Sequence, residues 1–161
     1  MSLRDGKRRL RRMDVNGGHQ VNLSDTPMLQ TTAAISPDSL RVAFMANDPA
    51  QRSDQITVIR ADGGKPICRV NVPRLSPAQN INGPRVGAMQ WTPAGDAVAY
   101  IRSYNGVDNI WAQPVNGGAA RQITRFREGQ IYRFAWSWSG KQLAWVRGNT
   151  TSDAVLLRPL R

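Results

Sequence analysis

Eleven carboxylates, one histidine and one cysteine are the side chains of this 161-residue sequence suited to acid–base, metal or nucleophilic chemistry. Ten of the carboxylates are Asp, and Glu128 is the single Glu. Their surroundings point to turns: Asp38, Asp62 and Asp96 lie in or beside chain reversals, while Asp108 and Asp153 come immediately before apolar runs. A metal centre needs several converging ligands, which one His and one Cys cannot supply. His19 follows Gly17-Gly18 as a hairpin residue does, and Cys68, near Ile67 and Val70, reads as a buried strand residue. There is no Gly-x-Ser-x-Gly elbow and no phosphate-cradling glycine loop. The expectation is a non-catalytic protein without cofactor or metal.

The charge is lopsided, with 22 Lys plus Arg against 11 Asp plus Glu and a formal net charge of +11. Apart from the cluster Arg4, Lys7, Arg8, Arg9, Arg11 and Arg12, the cations are scattered singly, with no recognition helix or base-stacking module beside them. They read as a solvated basic surface, and nucleic acid is not the expected partner. No apolar stretch approaches the roughly 20 residues that span a bilayer, so membrane insertion is not expected. The N-terminus has charge without the apolar core of a signal peptide.

The elements that would position a site are short strands between turns. One turn motif recurs as Ile35-Ser36-Pro37-Asp38-Ser39, Trp91-Thr92-Pro93-Ala94-Gly95 and Trp136-Ser137-Trp138-Ser139-Gly140. A second recurs as Asp14-Val15-Asn16-Gly17-Gly18, Ala61-Asp62-Gly63-Gly64 and Val115-Asn116-Gly117-Gly118. Proline presets φ, Asp and Ser accept local backbone bonds, and a final Gly takes positive φ, so such segments reverse the chain. Asn-Gly and Asp-Gly suit tight hairpins. Runs between them, such as Leu40–Phe44, Gln55–Ile59 and Gln142–Val146, are apolar or alternating, as strands covered on one or both faces are.

Four strands per repeat, returning at about 40 to 50 residues, are the mark of a β-propeller blade. The predicted fold is all-β: a partial β-propeller of four-stranded antiparallel blades, two complete and the end ones incomplete. Residues 1–161 form one propeller segment, divided into a half blade (1–26), a blade (30–70), an insertion (71–85), a blade (86–124) and an incomplete blade (131–161). The half blade is expected to hold only the third and fourth strands, at Arg9–Met13 and Gln20–Leu23. Alternating strand direction places the insertion at the same end as the second-to-third-strand loops Asn47–Asp54, Ser103–Asp108 and Gly148–Asp153. Polar loops gathered at one end make the expected binding face Arg52, Asp54, Tyr104, Asn105, Asp108, Asn149 and Asp153, with the insertion as its wall. Trp91, Trp111, Trp136 and Trp145 are expected between blades, with Trp138 exposed in a turn.

Taken together, Ser36-Pro37-Asp38, Asn109-Ile110-Trp111, Asn116-Gly117-Gly118, Arg121-Gln122-Ile123-Thr124 and Phe134-Ala135-Trp136-Ser137 resemble TolB-like propeller repeats. They look most like the C-terminal propellers of bacterial serine/threonine protein kinases and winged-helix regulators. Ser39 and Ala94 depart from the Gly and Asp of the repeat, and Trp138 replaces its Pro. No kinase motif is present, so no kinase activity is implied.

The resemblance implies an interaction or sensor module that binds a protein, peptide or small ligand. The alternatives are an accessory, substrate-filtering propeller of a hydrolase or peptidase, and a basic anion or nucleic-acid binder. An open arc also suggests the C-terminal piece of a longer chain, or a homodimer closing a six-bladed ring by strand exchange. The residues do not specify a compartment, although related propellers are often outside the cytoplasm.

Overall fold

A computed structural model describes residues 2–4, 7–24, 28–48, 53–72 and 89–149. All regular structure among them is β: β1 (Ser2–Arg4), β2 (Lys7–Arg9), β3 (Arg11–Arg12), β4 (Val21–Asn22), β5 (Met28–Ile35), β6 (Arg41–Asp48), β7 (Ser53–Arg60), β8 (Cys68–Val72), β9 (Met89–Trp91), β10 (Ala97–Tyr104), β11 (Val107–Pro114), β12 (Arg121–Gln122), β13 (Gln130–Trp136) and β14 (Leu143–Gly148). The strands pair as antiparallel meanders, with β5-β6-β7-β8 and β9-β10-β11-β12 as the two complete blades. These are blades 2 and 3. Blade 1 comprises β1 to β4, and the described part of blade 4 is β13-β14.

In blades 2, 3 and 4 the turn between the first and second strands is built by one hydroxyl. Ser36, Thr92 and Ser137 Oγ accept hydrogen bonds from the backbone N–H five residues on, at Arg41 (2.9 Å), Ala97 (3.1 Å) and Gln142 (3.0 Å). The residue three positions after each hydroxyl takes positive φ: Ser39 at 60°, Gly95 at 70° and Gly140 at 70°. Successive turns stack, so that a Cβ on Gly95 would lie 3.6 Å from Pro37 and one on Gly140 only 2.5 Å from Pro93.

Between turns, side chains alternate across the sheet, and both faces of the central blades are covered. Val42, Phe44 and Ala46 of β6 pack with Leu23 and Ile59 toward blade 1. Ala43 and Met45 pack with Met89, Trp91, Val98 and Tyr100 toward blade 3. Ala99 and Ile101 of β10 meet Ile110, Ile131 and Phe134 toward blade 4. Burying each of the larger side chains stabilises the fold by about 1.5–3 kcal/mol, so the core is a series of interblade layers. First strands lie side by side, with Trp91 Nε1 donating to the Ala34 carbonyl at 3.0 Å.

Blade 1 is fuller than the half blade expected. β1 and β2 form a hairpin pairing Ser2 with Arg9 and Arg4 with Lys7, which repeats Arg102↔Asn109 and Tyr104↔Val107 of blade 3 at a spacing of 100 residues. The spacing persists through Arg12↔Val21 and Ala112↔Arg121, and through the bonds from Leu23 N to Leu10 O and from Ile123 N to Ile110 O. The end of a second strand is thus present at Ser2–Arg4. Blade 2 extends through Val72 in β8, two residues into the expected insertion. The rest of that insertion, and the expected third strand of blade 4, lie outside the described residues.

Candidate functional site

Among the described residues, the members of the expected binding face do not share one open surface. Asp54 and Asp108 lie inside β7 and β11 and are only 3% and 1% exposed. Asp108 Oδ2 accepts the Ile131 N–H at 2.9 Å, and its own N–H donates to the Gly129 carbonyl, fastening blade 3 to the first strand of blade 4. These two aspartates are buried within strands, which corrects their placement on an open polar face. Asn149 is exposed beside Gly129. Arg52 and Asp153 lie outside the described residues.

Tyr104 and Asn105 do come together, at the mouth of a cavity of about 530 Å³ on blade 3. The expected loop Ser103–Asp108 is a two-residue hairpin, Asn105-Gly106, with φ of 49° and 78°, and β10 and β11 pair right up to it. That register places Arg102 opposite Asn109, Tyr104 opposite Val107, and Trp111 opposite Gln122 of β12. All six line the cavity, and Phe126 and Arg127 complete its wall.

Hydrogen bonds fix this wall. Asn109 Oδ1 accepts the Phe126 N–H at 2.7 Å and the Thr124 hydroxyl at 3.1 Å, while its Nδ2 donates to the Phe126 carbonyl at 3.2 Å. Thr124 Oγ1 in turn accepts the Ile110 N–H at 2.9 Å, and Gln122 Nε2 donates to the Thr124 carbonyl at 2.7 Å. The Asn109-Ile110-Trp111 motif therefore anchors the segment after β12 and presents an indole. Arg102 lies over that indole, its guanidinium carbon 4.7 Å from the Trp111 ring centre, an arrangement that favours a cation. Beneath, burial raises the Tyr100 phenol above its ordinary pKa, partly opposed by the nearby Arg102 charge.

Among the described residues no carboxylate, histidine or cysteine lines the cavity, and no cluster of three or more His, Cys, Asp or Glu could hold a metal. The arrangement offers guanidinium, amide, phenol and indole groups, a set suited to recognition. Arg102, Val107, Asn109, Trp111, Gln122, Phe126 and Arg127 were absent from the expected face. Their signal was the Asn105-Gly106 turn combined with two-residue alternation, which puts positions 102 and 104 on the same side as 107, 109 and 111.

No family model matches the chain, and no curated protein does. Solved structures do. TolB from Acinetobacter baumannii superposes with a TM-score of 0.60 and 18% identity, over 87% of this chain and 32% of its own. A protein assigned as TolB from Agrobacterium tumefaciens gives 0.64 and 17%, over 91% of this chain and 48% of its own. The fold is therefore a TolB-like β-propeller, present as an arc spanning about a third to a half of those chains. The narrower resemblance to kinase or winged-helix propellers has no support in these matches. Among the described residues no helix is long and apolar enough to cross a membrane.

Proposed function

We propose that the chain is a non-catalytic interaction module that binds a protein or peptide through the cleft on blade 3. One observation carries this reading: the cavity of about 530 Å³ gathers aromatic and hydrogen-bonding side chains on a two-strand scaffold, with no carboxylate, histidine or cysteine lining it among the described residues. Pockets of a few hundred Å³ combining an apolar floor with a few placed polar groups are typical recognition sites. Tyr104, 73% exposed at the rim, is an aromatic anchor of the kind enriched at interfaces.

The test is quantitative affinity capture on the immobilised full chain, comparing the native protein with Tyr104→Ala. Tyr104 lies outside the buried core, so the variant retains the fold. A partner whose recovery falls severalfold with Tyr104→Ala supports the reading. Equal recovery of every captured protein overturns it.

A further inference from the structure

Three arginines in the described structure stack on aromatic rings, and they differ in what their N–H groups meet. Arg41 lies 4.9 Å from the Trp91 ring centre, and its Nη2 donates to Asp38 and to the Gly95 carbonyl at 2.9 and 3.0 Å. Arg147, 4.5 Å from Phe126, donates through Nε and Nη2 to the Glu128 carbonyl at 3.1 and 2.6 Å, and lies 3.8 Å from the Glu128 carboxylate. Arg102, over Trp111, has the same stacked posture without an ion pair or hydrogen bond to its guanidinium among the described residues. Arg127, on the same wall, is likewise unpaired among them.

The repeat makes this comparison direct. Arg102 and Arg147 occupy one position in successive blades, 45 residues apart, as do Trp91 and Trp136. Arg147 shows what that position receives: oxygens from the connection that leads into its blade. The sequence leading into blade 3, residues 73–88, contains neither Asp nor Glu. At the turn end, a second hollow of about 470 Å³ contains Arg41 and Arg60, but Asp38 and Asp62 pair with them at 2.9 and 2.8 Å. The blade 3 cleft combines a formed cavity with two guanidinium groups that are unpaired among the described residues.

Deepening the proposed module reading, on which it rests, the geometry points to an acidic peptide segment of the partner, with an Asp or Glu carboxylate seated between Arg102 and Arg127. A planar guanidinium fork matches a carboxylate bidentately, and stacking on Trp111 holds Arg102 in place so that little order is lost on binding. The cleft has room for one or two side chains. A nucleic-acid strand would need a longer track of phosphate contacts and an open stacking face, whereas Arg102 already covers this face of Trp111.

The test uses fluorescence anisotropy with the full chain and three labelled probes: an amidated peptide of alternating Glu and Gly, its Gln-for-Glu counterpart, and a single-stranded oligothymidylate. The Glu peptide is expected to bind at least about tenfold more tightly than the Gln peptide, a margin typical of charged hydrogen bonds. Arg102→Gln should remove that margin, and Arg102→Lys should restore part of it, since charge without the fork recovers only part of the contact. Circular dichroism melting confirms that both variants are folded; if Arg102→Gln is not, Arg127→Gln takes its place with the same expected loss. Equal affinity for the two peptides, unchanged binding in folded Arg102→Gln, or tighter Arg102-dependent binding of oligothymidylate overturns the assignment. A captured partner that is lost with Tyr104→Ala but retained with Arg102→Gln leaves the module reading standing and refutes the carboxylate site alone.

Discussion

Replacing Ser39 by glycine should stabilise the protein, and glycine-to-serine changes at the two equivalent turns should destabilise it by unequal amounts. Ser39 has φ of 60°, in the left-handed region where a side chain costs about 1–2 kcal/mol. Its N–H still bonds the Ser36 carbonyl at 2.8 Å, a contact that glycine keeps. Against the relieved strain stands about 0.4–1 kcal/mol of extra unfolded-chain freedom. The net gain is about 0.5–1 kcal/mol, or about 1–4 °C in a chain of this size.

Gly95→Ser brings the same backbone penalty into ordinary contacts, 3.4 Å from Arg41 and 3.6 Å from Pro37, and should cost about 0.5–1 kcal/mol. At Gly140 the new Cβ would meet Pro93 at 2.5 Å. Overpacking adds about 1–3 kcal/mol there, for a total of about 2–4. Calorimetric melting of the three variants should therefore rank Ser39→Gly above native, Gly95→Ser slightly below and Gly140→Ser lowest. Equal effects at positions 95 and 140, or destabilisation by Ser39→Gly, would refute the argument that stacked turns set the residue at this position.

Two further outcomes follow from single side chains. Asp108→Ala leaves the Ile131 N–H without its acceptor and should cost about 1–3 kcal/mol in urea unfolding; Asp108→Asn keeps an oxygen there and should lose less. Hydrogen bonds from the Ser36 hydroxyl and the Leu40 N–H lower the Asp38 carboxyl to about 2. A depressed carboxylate stabilises above its unfolded value, near 4, and that contribution disappears as pH falls toward 2. Native and Asp38→Asn urea midpoints should accordingly differ most above pH 4 and converge near pH 2; a difference that persists unchanged at pH 2 would contradict the assignment.

Much of the fold was legible because its turns are chemical necessities. The Ser/Thr-x-x-Gly/Ser reversals and Asn-Gly-Gly hairpins bracket strands whose alternating residues enter two different cores, as Val42–Phe44 and Val98–Ile101 do. Trp91 is buried, Trp138 is fully exposed, and Trp145 is about half exposed against Phe126, 5.5 Å between ring centres. The site was less legible for a local reason. Ser103–Asp108 reads as one polar loop, whereas Asn105-Gly106 reverses the chain in two residues and returns its neighbours to strand faces. Asp54 and Asp108 border polar turn segments and on that pattern are expected in solvent. Asp108 instead serves a backbone donor 23 residues away, a contact that local pattern does not encode.

The 100-residue register has a consequence for how this architecture can vary. Segments 2–24 and 102–124 share strand pairing and backbone bonds, including the Gly18 and Gly118 N–H bonds to Asn16 and Asn116 Oδ1 at 3.0 and 3.1 Å. Where blade 3 presents Trp111, however, blade 1 presents Arg11, whose Nε is buried without a partner. Wiring and recognition are thus carried by separate sets of residues: turn and carbonyl positions hold the scaffold, while alternate strand positions choose the chemistry. Such a cassette can exchange one ligand preference for another without relearning how to fold.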